Sequence, residues 1–158
     1  RPSNVDQRAV LANICEQLIE VSKQCQIVFP VHPRTRKKLH EFELMARLSA
    51  TDRIQCVQPL GYIQFMNLVT QAQLIITDSG GIQEETTYLG IACLTLRDNT
   101  ERPITITQGT NQLIRADQLY QRVTDVLSAP AKASSVPELW DGKTAMRVLA
   151  SLHQRCFP

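Results

Sequence analysis

Apolar residues recur along the chain in two alternating patterns. Near the start they recur every three or four residues, which predicts a helix over 4–24 that Asn4 or Asp6 would cap. Short continuous apolar runs predict strands at 26–31, 54–58, 74–77, 92–96 and 112–114. Amphipathic stretches predict further helices at 36–48, 63–70, 82–89, 117–127 and 143–153. Strands that alternate with helices and are apolar on both faces indicate an α/β fold, a Rossmann-like doubly wound parallel sheet.

Length and charge narrow the class of protein. The 158 residues, of which 43% are hydrophobic, fit one globular domain over 1–158. Lys and Arg number 17 and Asp and Glu 15, a net charge of +2, so no nucleic-acid partner is expected. No apolar run approaches the roughly 18 residues that span a bilayer, so no membrane partner is expected either. The stretch 128–137, rich in Ala, Ser and Pro, predicts a surface connection.

The cysteines and histidines are spaced unlike metal ligands. The chain has five cysteines, an odd number, widely spaced and without a CxxC pair, which predicts free thiols in a reducing compartment, the cytoplasm. His32, His40 and His153 are also too far apart to suggest a metal site. We therefore expect neither a metal nor another cofactor.

The clearest candidate site follows the strand at 74–77. Ser79, Gly80 and Gly81 stand between that strand and a helix, where free backbone N–H groups and the helix dipole favour a phosphate. Asp78 or Ser79 capping a tight structural turn explains the same residues equally well. Glu85, in the first turn of that helix, is either an acceptor for ribose hydroxyls or a favourable charge at the helix start.

Two other loops also follow predicted strands. The segment 32–38 places basic residues at a helix start, against the dipole, which favours anion binding over a plain solvated surface. The long polar loop 97–111 contains Arg102, whose guanidinium has the geometry to hold a phosphate. The segment 78–81 also matches the nucleophile segment of trypsin-like proteases. Its place between a strand and a helix excludes that class, whose members are β-barrels.

Taken together and in order, these segments resemble the non-hydrolysing UDP-N-acetylglucosamine 2-epimerases. The most specific segments are SGGIQEE at 79–85 and TERP at 100–103. Further matches are RPSNVD at 1–6, PVHPRTR at 30–36, PLGY at 59–62 with Phe65, Leu89-Gly90, RDN at 97–99, GTN at 109–111 and WDGKTA at 140–145. The resemblance implies the carboxyl-terminal half of a two-domain GT-B fold.

The resemblance also implies a reaction and residue roles. The family interconverts UDP-GlcNAc and UDP-ManNAc by eliminating UDP and adding it back after inversion at C2. By motif position, Ser79, Gly80, Gly81 and Arg102 would bind phosphate, Glu85 the ribose and Phe65 the uracil. His32 would lie at the cleft, near where some members hold a regulatory UDP-GlcNAc. Arg1 matches the Arg of a His-Arg pair that ends the preceding strand in the family.

Some catalytic residues of the family have no counterpart in the matched segments. The His of that pair, its strand and the acid/base carboxylates would precede residue 1, so we expect the isolated chain to bind UDP without epimerising it. The absent strand would lie inside the sheet, so we also expect a homo-oligomer or a weakened fold. Two alternatives stay open, a GT-B glycosyltransferase-like protein and a non-catalytic UDP-sugar-binding module.

Overall fold

Short parallel strands alternate with helices throughout the chain. The computed structural model describes residues 1–129 and 136–156. Its strands are β1 Ile27–Pro30, β2 Ile54–Val57, β3 Leu74–Thr77, β4 Ala92–Leu96 and β5 Asn111–Ile114. Its helices are α1 Pro2–Val5, α2 Arg8–Ser22, α3 Pro33–Glu41, α4 Met45–Ser49, α5 Tyr62–Gln71, α6 Gly80–Leu89, α7 Ile104–Thr107, a 3₁₀ turn Ala116–Gln118, α8 Leu119–Ser128 and α9 Thr144–Cys156. Most of the predicted connection at 128–137 lies outside the described residues.

The strands form two parallel sheets. β1 pairs with β2, and β3, β4 and β5 pair in that order. The predicted α/β class with parallel, Rossmann-like pairing is thus confirmed. Among the described strands, β1 and β3 each have one hydrogen-bonded neighbour, and their residues are at most half-buried. The interior of β4, in contrast, is buried from Cys93 to Thr95.

The hydrophobic core lies between the sheets and helices α2 and α8. One stripe of α2, with Leu11, Ile14, Leu18 and Val21, is buried as its spacing predicted. It belongs to the same apolar cluster as Leu39, Leu48, Leu94, Ile114, Leu119 and Val123. Burial of each of these side chains contributes about 1.5–3 kcal/mol to the free energy of folding. This packing holds in place the strand ends from which the polar loops begin.

Two helices predicted as continuous are broken. The first ends at Val5 and restarts at Arg8, because Gln7 adopts an extended conformation. Asn4 and Asp6, predicted as caps, instead bond to Asp78 and Arg34. The helix predicted over 36–48 begins at Pro33 and is interrupted at Glu43, whose φ of 60° lies in the left-handed region.

The structure describes the cysteines, the groups that could bind a metal and the length of the helices. All five cysteines lie in the described part of the chain and are free thiols; Cys15 and Cys93 are buried, whereas Cys156 is exposed. Burial raises the pKa of Cys15 to about 11. Over the described residues, no three His, Cys, Asp or Glu side chains group as metal ligands. No described helix is long and apolar enough to cross a bilayer.

Candidate anion and nucleotide site

The first turn of α6 presents open backbone N–H groups. The helix begins at Gly80, two residues earlier than predicted, so Gly80 and Gly81 belong to the helix itself. Ser79 is the N-cap residue, but within the described residues its side chain makes no capping hydrogen bond. The Ser79 N–H donates instead to Thr77 Oγ1 at 3.1 Å. An uncapped helix start of this kind attracts an anion through its N–H groups and dipole.

Gly80 allows Arg102 to lie directly against this turn. A Cβ at Gly80 would stand 2.6 Å from Arg102 Nη1 and 2.9 Å from Glu101 Oε1, distances that a real side chain does not tolerate. At Gly81, a Cβ would meet no atom of the described residues within 4 Å. One glycine thus accommodates the arginine, and the other faces open space.

Arg102 is held by two carboxylates. Its Nε lies 2.7 Å from Glu84 Oε2, and its Nη1 lies 2.5 Å from Glu101 Oε1. These contacts, the one with Glu84 first, raise the pKa of Arg102. A hydrogen bond from Arg97 lowers the pKa of Glu101 to about 2. A guanidinium has five N–H donors, so this pairing orients Arg102 and leaves donors for a phosphate.

Residues of the amino-terminal segment bond to the end of β3. The amine of Arg1 contacts the Asp78 carboxylate, and Arg1 Nε lies 3.4 Å from the Asp78 carbonyl oxygen. Asn4 Nδ2 donates at 3.1 Å to both Asp78 Oδ2 and Leu96 O, which joins the ends of β3 and β4. Asn4 thus holds the Asp78 carboxylate beside the end of β4. Asp78 therefore does not cap α6 as predicted.

A cavity of about 290 Å³ opens beside α6. It is lined by Tyr62, Met66, Glu84, Glu85, Tyr88, Leu89 and Trp140. Glu85 raises the pKa of the Tyr62 hydroxyl through a hydrogen bond and its negative charge. Glu85 Oε2 is buried and has no hydrogen-bond partner among the described residues. An unpaired acceptor between aromatic side chains suits a ligand that offers hydroxyl groups.

A buried polar network joins the two anion-binding loops. Gln83 is fully buried and donates from Nε2 to Ser79 O at 3.1 Å. Its Oε1 accepts from Thr100 Oγ1 at 2.7 Å and from Asn111 Nδ2 at 3.1 Å. Asn111 Oδ1 accepts from Thr95 Oγ1 at 2.6 Å, which connects the network to β4. Both the donor and the acceptor of the Gln83 carboxamide are thereby paired, and such networks fix loop positions.

The structure brings together some of the predicted site residues. Ser79, Gly80, Gly81 and Arg102 adjoin, Glu85 lies in the neighbouring cavity, and Arg1 touches Asp78. Phe65 is half-buried in α5 and is not among the residues that line the cavity. His32 is the exposed N-cap of α3, where its Nδ1 accepts from the Arg34 N–H at 3.2 Å.

Two cations of the basic segment after β1, Arg34 and Lys38, pair with carboxylates of the protein. Arg34 forms two bonds to the Asp6 carboxylate, and Arg36 donates to Val57 O. Lys38 pairs with Glu41 and lies 5.2 Å from the centre of the Phe42 ring. Arg36 meets only a neutral carbonyl, and its buried Nε has no hydrogen-bond partner among the described residues, so the anion-binding role expected of 32–38 stays a prediction.

Sequence reasoning missed Gln83 and the aromatic lining. The buried residues of α6 are Gln83, Thr86 and Thr87, so this helix turns a polar face inward. Apolar periodicity cannot reveal such a face. The available signal was the helical spacing of three polar residues, Gln83, Thr86 and Thr87, in the helix that begins with the glycine pair.

Comparisons with known proteins match this chain over nearly its whole length. The family model described as "UDP-N-acetylglucosamine 2-epimerase" matches residues 1–153. A UDP-N-acetylglucosamine 2-epimerase of Methanocaldococcus jannaschii is 46% identical over 156 residues, 96% of this chain and 42% of that protein. A UDP-2,3-diacetamido-2,3-dideoxy-D-glucuronate 2-epimerase of Pseudomonas aeruginosa is 36% identical over 117 residues, 73% of this chain and 31% of that protein. The chain thus spans less than half the length of these curated relatives.

Solved structures agree with these matches. The M. jannaschii UDP-GlcNAc 2-epimerase in complex with UDP-GlcNAc and UDP superposes with a TM-score of 0.82 at 38% identity, over 96% of this chain and 43% of that one. The Neisseria meningitidis UDP-GlcNAc 2-epimerase bound to UDP-GlcNAc superposes with a TM-score of 0.77 at 28% identity, over 90% of this chain and 40% of that one.

Proposed function

Since the chain belongs to the UDP-N-acetylglucosamine 2-epimerase family, we propose that residues 1–158 form one domain that binds the UDP portion of a nucleotide sugar. The observation that carries the proposal is the uncapped first turn of α6 with Arg102 packed against it. Relatives named for two different sugars match this part of the chain, and UDP is common to both names.

The diphosphate would bind at the start of α6. The N–H groups of Gly80 and Gly81 would donate to it, and Arg102, oriented by Glu84 and Glu101, would pair with the same anion. When the anomeric C–O bond breaks, UDP leaves with the electron pair and negative charge grows on the diphosphate. Donors fixed in advance stabilise that charge more than they stabilise the intact substrate.

The nucleoside would extend into the cavity beside α6. The unpaired Glu85 Oε2 supports a role as acceptor for the ribose hydroxyls. The aromatic lining, Tyr62 with Tyr88 and Trp140, gives flat apolar surface beside that carboxylate. From motif position, we propose that Phe65 lies beside the uracil and that His32 and Arg1 lie at the cleft.

The whole enzyme would interconvert UDP-GlcNAc and UDP-ManNAc by elimination and re-addition of UDP. Removing and returning the C2 proton requires a positioned acid and base. In the site described above, Glu84 and Glu101 pair with Arg102, Asp78 accepts a hydrogen bond from Asn4, and Glu85 faces the cavity proposed for the nucleoside. We therefore propose that this chain alone binds UDP but does not epimerise the sugar.

Proton NMR in deuterated water tests that proposal. The purified chain is incubated with UDP-GlcNAc, and the C2 proton signal is followed. We expect no exchange, and deuterium at C2 or accumulation of UDP-ManNAc would contradict it. Release of UDP with transfer of the sugar to an acceptor would favour a glycosyltransferase-like protein instead.

Calorimetry with three ligands tests the binding site. Arg102→Ala should weaken UDP by about 1.5–3 kcal/mol, the usual worth of a charge-assisted hydrogen bond. Glu85→Gln should weaken UDP but leave pyrophosphate unchanged, because pyrophosphate has no ribose. Arg122→Ala, a surface arginine paired with Asp125 in its own helix, serves as the control. Unchanged UDP affinity in Arg102→Ala would refute the assignment, as would equal losses for both ligands in Glu85→Gln.

Two further proposals concern the cellular compartment and the oligomeric state. Free thiols at all five cysteines, each in the described part, support a reducing compartment, which we propose is the cytoplasm. The open edges of β1 and β3 support association into a homo-oligomer. Sedimentation velocity over a range of concentrations would detect it, and a stable monomer throughout would contradict it.

A further inference from the structure

We infer that Gln83 is a positioning residue that holds the two anion-binding loops in register. The inference rests on the proposed function, because it concerns how the proposed diphosphate donors keep their geometry. Gln83 lies in the first turn of α6 and is fully buried. It sits one turn after Ser79 and is enclosed by side chains from the 97–111 segment.

The carboxamide of Gln83 connects three parts of the chain. Its Nε2 holds the Ser79 carbonyl at 3.1 Å. Its Oε1 accepts at 2.7 Å from Thr100, in the loop that carries Arg102, and at 3.1 Å from Asn111 at the start of β5. A carboxamide supplies donor and acceptor together, which neither a carboxylate nor an apolar residue of this size does.

The network reaches both backbone groups of Arg102. Thr100 Oγ1, which donates to Gln83, accepts from the Arg102 N–H at 3.1 Å. On the other side, Thr105 Oγ1 donates to the Arg102 carbonyl at 2.8 Å. That hydroxyl in turn accepts from Asn111 Nδ2 at 3.2 Å. The backbone of Arg102 is therefore fixed relative to the Ser79 turn through Gln83 and Asn111.

Substitutions at Gln83 and Thr100 test this inference. Gln83→Met keeps a similar volume and removes the three bonds, and Thr100→Val removes the link to Arg102 while leaving Gln83 in place. Each should raise the Kd for UDP by about 3- to 10-fold, the range expected for lost hydrogen bonds. Uridine, which has no diphosphate, should bind unchanged. Thr86→Val is the matched control, because Thr86 is equally buried and its hydroxyl bonds to carbonyls of its own helix.

Hydrogen exchange gives a readout that does not depend on UDP. The Arg102 amide should exchange about 10-fold faster in Gln83→Met and Thr100→Val than in wild type or Thr86→Val. In an Arg102→Ala background, Gln83→Met should cost little further UDP affinity, since the two residues act as a unit.

The outcomes separate the two proposals. If Arg102→Ala leaves UDP binding unchanged, the proposed function fails, whereas faster exchange at Arg102 still supports the positioning role. If Arg102→Ala weakens UDP but Gln83→Met and Thr100→Val change neither affinity nor exchange, the positioning role is refuted. Equal losses for uridine and UDP, or additive losses in the double variant, would refute it as well.

Discussion

Gly81→Ala should stabilise the protein and weaken UDP binding at the same time. Gly81 is the second residue of α6, and a Cβ there meets no described atom within 4 Å. Alanine in a helix is favoured over glycine by about 0.5–1 kcal/mol. The free energy of unfolding should therefore rise by about that amount. For a domain of this size, the melting temperature should rise by about 1–4 °C.

The same methyl group would occupy space proposed for the diphosphate. If it separates the phosphate from the N–H groups of the first turn, one charge-assisted hydrogen bond is lost, worth about 1.5–3 kcal/mol. The Kd for UDP should then rise by about 10- to 150-fold. Opposite signs for stability and affinity distinguish a ligand-binding glycine from one required by the fold.

Thermal unfolding and calorimetry on the same samples measure both effects. Gly80→Ala is the comparison, because its Cβ would stand 2.6 Å from Arg102 Nη1 and the guanidinium must retreat by roughly 1 Å. We expect Gly80→Ala to weaken UDP without the gain in stability, and uridine to bind all three chains equally. If Gly81→Ala is more stable and binds UDP as tightly as wild type, the diphosphate does not lie at this turn.

Two further predictions concern stability. Gly109→Ala should destabilise the fold by about 1–3 kcal/mol in urea denaturation, because its Cβ would stand 2.4 Å from Thr87 Oγ1 and 2.5 Å from a backbone carbonyl; an unchanged urea midpoint would contradict this. Glu101 has its pKa lowered from 4.5 to about 2 in the folded state, so its contribution is present above about pH 4.5 and is lost as the pH falls toward 2. Unfolding free energies measured between pH 2 and 6 should therefore fall less steeply for Glu101→Gln than for wild type, and parallel curves would refute the role of Arg97.

Local pattern was enough to place the regular elements and the main loops. The run 74–77, apolar on both faces, predicted β3, and the spacing of Leu11, Ile14 and Leu18 predicted the buried side of α2. The glycine pair after β3 marked the anion site because a strand followed by a glycine turn and a helix is a local arrangement. These properties depend on neighbours a few positions apart, so the amino-acid order alone determines them.

Contacts between distant residues were decided by the tertiary structure. Arg102 pairs with Glu84, and Asn4 with Asp78, across many intervening residues. Apolar periodicity says nothing about such polar partners, and for the same reason it could not show that Gln83 faces inward. The break at Glu43 escaped prediction as well, because a left-handed glutamate is stabilised by the packing on either side and not by its own preference. The sequence thus determined which loops carry polar chemistry, and the packing of sheets and helices determined which side chains meet there.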